Sequence, residues 1–69
     1  MTLTYLIELK NGKEKRVKTL EKCRALVYKK YKRHAQARVY VLMGTRIIDT
    51  FARNDKGYMI SLSGYPLYI

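Results

Sequence analysis

The spacing of the apolar residues changes twice along this chain, and a chain that alternates, then turns helical, then alternates again has few folds open to it. From Thr2 to Lys10, Leu3, Tyr5, Ile7 and Leu9 fall on one face and Thr2, Thr4, Glu8 and Lys10 on the other, with Leu6 the exception. Period two marks a half-buried strand. From Leu20 the spacing is helical: at about 100° per residue, Leu20, Cys23, Val27, Tyr31 and His34 line one face with Leu26 at its edge. Thr19 is placed to cap this helix, Glu21 suits its first turn and Lys32 and Arg33 its last, so it is expected to run from Leu20 to about His34. After Ala37 period two returns, with Val39, Val41 and Met43 on one face and a further strand over Arg46 to Arg53.

Turn chemistry divides the strands. Asn11-Gly12 marks a hairpin, but a two-residue loop would set Arg16 on the apolar face of the first strand. A three-residue loop returns Val17 to the Ile7 side, and pairing Glu8 with Arg16 and Lys10 with Glu14 also matches charges. Gly44-Thr45 fits a II′ turn that places Val41 beside Ile48 and Val39 beside Thr50. Asp55-Lys56-Gly57 fits a three-residue loop with Gly57 in the left-handed position, pairing Ala52 with Ile60 and Thr50 with Leu62. The expected fold is therefore α+β: a single small domain over residues 1–69 in the order ββαβββ, an antiparallel sheet with one helix on one face. A short tail, Gly64-Tyr65-Pro66-Leu67-Tyr68-Ile69, follows.

Sixty-nine residues bury a thin core. The single cysteine, Cys23, allows no internal disulfide and fits a reducing, cytoplasmic (intracellular) setting. The longest apolar run, Val39 to Met43, is far shorter than the roughly 20 residues that cross a bilayer, so no membrane association is expected.

In this register the last three strands present two apolar faces. Val39, Val41, Met43, Ile48, Ala52, Tyr58, Ile60 and Leu62 form the face for the helix to cover. The other carries Arg38, Tyr40, Leu42, Ile47, Phe51, Arg53 and Met59, with no second helix to cover it. Tyr40, Leu42, Ile47 and Phe51 are accordingly candidate interface residues, for the tail or for a second copy in a homodimer. Tyr40 and Phe51 beside Arg38 and Arg53 also have the composition of a base-stacking platform.

Charge points outward. Eleven of the fifteen Lys and Arg residues lie between Lys10 and Arg33, opposed only by Glu14 and Glu21, in a chain of net charge +10. A positive field this concentrated attracts polyanions. On the expected helix Lys18, Lys22, Lys29, Lys32 and Arg33 gather opposite the apolar face, with Tyr28 the one aromatic able to reach outward among them. Lys10, Lys13 and Lys15 at the hairpin can extend the footprint, although lysines on an edge strand also serve to block aggregation.

Candidates for chemistry are few. Cys23 and His34 share a helix face but are eleven residues apart, about 16 Å along the axis, too far to act as nucleophile and base. Asp49 and Asp55 have no His or second carboxylate in register to hold a metal. Gly12, Gly44, Gly57 and Gly64 are turn residues and form no phosphate loop. A non-enzymatic protein without cofactor or metal is expected. Its partner would be nucleic acid, DNA or RNA, held through phosphates by Lys13, Lys15, Lys18, Lys22, Tyr28, Lys29, Lys32 and Arg33 with low sequence specificity. The alternative is a regulator docking on an acidic protein, such as a nucleic-acid enzyme, through the same helix and the uncovered sheet face.

Overall fold

The computed structural model describes residues 3–33 and 36–67; Thr2, His34, Tyr68 and Ile69 lie outside them. Its elements are β1 (Leu3–Glu8), β2 (Glu14–Val17), α1 (Leu20–Ala25) continuing into a π-helical turn (Leu26–Lys30), β3 (Arg38–Met43), β4 (Arg46–Arg53), β5 (Met59–Ser61) and β6 (Pro66–Leu67). The strands form one antiparallel sheet in the order β2-β1-β3-β4-β5-β6, with the helix on one face. The expected α+β class and ββαβββ order are present. The tail is not free, however, since Pro66–Leu67 pairs with β5 as a sixth strand.

Because β2 and β3 both flank β1, the chain must cross over β1, and the helix makes that crossing. Thr19 caps it as expected, its Oγ1 accepting from the Lys22 N–H at 3.2 Å. Cys23 and Val27 lie fully buried beneath it with Ile7, Val39 and Met59, and Leu9, Val17, Ala37 and Leu67 complete the core. Leu20, expected in this core, is 38% exposed.

In the first hairpin the loop begins one residue earlier than expected, which moves the pairing by two positions. Glu8 faces Glu14, Ile7 faces Lys15, Leu6 faces Arg16 and Tyr5 faces Val17. The loop is Lys10-Asn11-Gly12, closed by Leu9 N–H to Lys13 O (2.9 Å) and Gly12 N–H to Leu9 O (3.0 Å), with Gly12 at φ 85°. The charge-matched register would have put Lys13 in that left-handed place, at roughly 1–2 kcal/mol for a residue with a Cβ. Cross-strand charge pairs are worth only about 0.2–1 kcal/mol each, so turn geometry outweighs them and two glutamates end up opposed. The β4–β5 loop has the same construction, with Gly57 at φ 89°, and its expected pairing of Ala52 with Ile60 is found.

The larger correction is in β4. The Gly44-Thr45 turn closes as expected, with Met43 opposite Arg46, but the register then slips at Val41/Leu42, where a β-bulge absorbs Ile48. Beyond it Val39 faces Phe51 rather than Thr50, and Val41 faces Asp49. Every later residue changes face. Phe51, Arg53 and Met59 turn to the helix side, and Ala52 and Ile60 turn away from it. The gain is burial of Phe51 where the unbulged strand would present Thr50 and Ala52 to the helix, on the order of 1.5–3 kcal/mol. That exceeds the roughly 0.5–1.5 kcal/mol of a disrupted ladder hydrogen bond.

Candidate polyanion-binding surface

The π-helical turn decides which cations meet. Its Tyr31 N–H bonds to Leu26 O at 2.7 Å, five residues back. A turn this wide advances each residue by less than the roughly 100° of an α-helix. The lag carries Tyr28 inward, and Lys30 replaces Lys29 on the side facing β2. Tyr28, expected among the outward lysines, instead packs against the core. Its hydroxyl donates to Leu67 O and accepts from the Met59 N–H (3.0 Å), and its ring meets Tyr58 edge-on at 6.5 Å. This ring is occupied in holding the helix to β5 and β6, and it does not present a face for stacking a base.

Two grooves run along the β2 side of the helix. The larger, about 490 Å³, is lined by Lys15, Arg16, Val17, Lys18, Lys22, Ala25 and Leu26: four cations around an aliphatic floor, with no acidic residue. The second, about 300 Å³, lies at the hairpin tip, where Lys13 and Lys30 meet with Leu9, Asn11, Glu14 and Tyr31. Lys13 and Lys15 of the hairpin are thus part of the helix surface, whereas Lys10 lines neither groove. Lys30 and Arg16, absent from the set read off the sequence, belong to it, and only the wider turn and the edge position of β2 reveal them. Lys30 also rests with its Nζ 5.6 Å from the Tyr31 ring centre. Lys29, Lys32 and Arg33 are exposed but line neither groove.

On its other side the helix is sealed. Arg53 donates from Nη1 to Gly57 O (2.9 Å) and from Nη2 to Val27 O (2.9 Å) and Tyr31 O (3.1 Å), tying the end of the helical segment to the β4–β5 loop. Burial lowers the Arg53 pKa, with Tyr28 opposing the shift. The base-stacking platform expected from Tyr40, Phe51, Arg38 and Arg53 is therefore not assembled, because the bulge puts Phe51 and Arg53 on the helix face.

The candidate interface is altered for the same reason. Phe51 leaves the group, and Leu42 is only 7% exposed. Tyr40 is half-buried and donates through its hydroxyl to Glu8 Oε1 at 3.3 Å. Ile47, 55% exposed, is the one member left broadly open.

Cys23 is fully buried, and desolvation pushes its thiol up to about 11. It is a protonated core residue rather than an available nucleophile. Among the described residues no group of His, Cys, Asp or Glu is placed to hold a metal ion, and no helix is long and apolar enough to cross a membrane. No known protein family, curated protein or solved structure matches this chain.

Proposed function

We propose that this protein binds nucleic acid through its phosphates, with low sequence specificity and without catalysing a reaction. The observation that carries the reading is the groove ringed by Lys15, Arg16, Lys18 and Lys22 with no carboxylate among them. Cations held this close repel one another and cost stability, a cost that a bound polyanion relieves by neutralising them. Lys13 and Lys30 extend the row at the hairpin tip, and the exposed Lys29, in the π-helical turn, and Lys32 and Arg33, just past it, add positive charge outside the grooves. Phosphates on a flexible backbone suit long lysine side chains, which act as point charges rather than readers of base edges. With Tyr28 turned inward, the contacts rest on charge alone.

Fluorescence-anisotropy titrations of random duplex and single-stranded oligonucleotides at several salt concentrations test the reading. Log K should fall linearly with log salt at about −0.9 per duplex phosphate neutralised, so four contacts predict a slope near −3 to −4. Affinity should be alike for unrelated sequences. Absence of binding tighter than about 100 μM at physiological salt defeats it.

A further inference from the structure

The larger groove is more than a row of charges. Its floor is Val17, Ala25 and Leu26, and no aromatic ring lines it, so it has nothing on which a base stacks. One wall is β2, an edge strand of the sheet. The bond from Leu9 N–H to Lys13 O makes that pair hydrogen-bonded, and alternation along the antiparallel ladder makes Ile7 and Lys15 the next such pair. The backbone N–H and C=O groups of Glu14 and Arg16 therefore point away from β1, toward the open edge. A strand laid beside β2 would pair with them. Its side chains on the helix face would enter the groove over Val17, Ala25 and Leu26, between Lys15 and Lys22, while alternate residues would lie beside Arg16 and Lys18.

We propose that this edge and groove take an extended peptide of alternating aliphatic and acidic residues, added to the sheet as a seventh strand. Charge complementarity selects the occupant. Edge lysines repel basic strands and disfavour neutral ones, whose pairing would desolvate the ammonium groups without compensation, and the same lysines favour an acidic strand. The aliphatic floor then separates such a peptide from a polymer recognised by charge alone. This site does not depend on nucleic-acid binding, although the two ligands share Lys15, Lys18 and Lys22 and compete.

The probes are short end-blocked peptides of alternating glutamate and valine, glutamate and serine, and lysine and valine, titrated by isothermal calorimetry. The glutamate–valine peptide should bind at least about tenfold tighter than either other. It should also slow hydrogen exchange at the Glu14 and Arg16 amides. Ala25 is exposed on the groove, so Ala25→Arg keeps the fold, fills the aliphatic seat and adds a positive charge. It should weaken the peptide about tenfold or more without weakening random duplex DNA. Arg16→Pro removes an outward N–H that the sheet does not use and should abolish peptide binding, whereas Arg16→Ala should retain most of it. Equal binding of the glutamate–serine peptide, or an Ala25→Arg variant that binds the peptide unchanged, would overturn the proposal in favour of plain polyanion binding.

Discussion

The two flanks of the helix differ in how they meet the sheet. Toward β4, β5 and β6 the contact is closed by directed hydrogen bonds: Arg53 onto Val27, Tyr31 and Gly57 carbonyls, and the Tyr28 hydroxyl between Leu67 O and Met59 N–H. Toward β2 the contact stays open, because Lys15, Arg16, Lys18 and Lys22 repel one another and leave an aliphatic floor between them. One flank spends its polar groups on internal partners. The other keeps its cations in water, where they add little stability and are free for an external anion. Stability and the proposed binding are thereby separated on two sides of an eleven-residue helical segment, Leu20 to Lys30.

Given that separation, removing Arg53 should give the largest loss of stability. Arg53→Met removes the donor to three carbonyls, and hydrogen bonds to a charged group contribute about 1.5–3 kcal/mol each when buried, so with partial solvent access a loss of about 2–4 kcal/mol is expected in urea denaturation. The salt slope of nucleic-acid binding should hold in whatever fraction remains folded. A loss below about 0.5 kcal/mol would mean that the sealed flank does not depend on this side chain.

Tyr28→Phe sharpens the comparison, because it removes only the hydroxyl shared by Leu67 and Met59. We expect about 1–3 kcal/mol of destabilisation with oligonucleotide affinity unchanged. The converse result, intact stability and weakened binding, would return Tyr28 to the functional flank.

Cys23 lies between the flanks and supplies a pH test. Its folded-state pKa, about 11, is above the ordinary 9.0, so its contribution to stability is full below pH 9 and is lost as pH rises toward 11. Against a Cys23→Ala reference, which has no such titration, the wild type should lose about 1 kcal/mol by about pH 10. The thiol should also react with a disulfide reagent only as fast as the protein unfolds. Equal alkaline profiles for the two proteins would show that water reaches the thiol.

The smallest effect on stability belongs to the open flank. Lys22→Ala should change stability by no more than a few tenths of a kcal/mol, with a small gain at low salt as repulsion is relieved. The same change should flatten the salt slope of nucleic-acid binding by about one unit for all sequences alike. A substantial destabilisation would show that Lys22 is structural and that the flanks are not divided as described.

How legible these flanks were in the sequence depended on the range of the forces involved. Thr19 as the cap, Cys23 and Val27 as buried helix positions, and Gly57 as the last residue of its loop follow from interactions within a few residues, and each is found. Gly12 obeys the same loop rule, yet charge pairs weighed above backbone conformation misplaced that loop by one residue and its pairing by two. The cations were evident as a cluster, but which of them meet was not. The pairing of Lys13 with Lys30 depends on a wide turn stabilised partly from outside the helix, by Arg53 reaching Val27 and Tyr31 from a strand over twenty positions later.

By itself the sequence determined the element order, the one-helix architecture and the location of positive charge, because hydrophobic period, capping and turn residues act locally and composition acts everywhere. Only the tertiary structure decided the bulge at Ile48, the face occupied by Phe51 and Arg53, the inward turn of Tyr28 and the use of Pro66–Leu67 as an edge strand. Each of these is a choice between local conformations of similar energy. The choice is made by burial and hydrogen bonds between residues that the folded chain alone brings together.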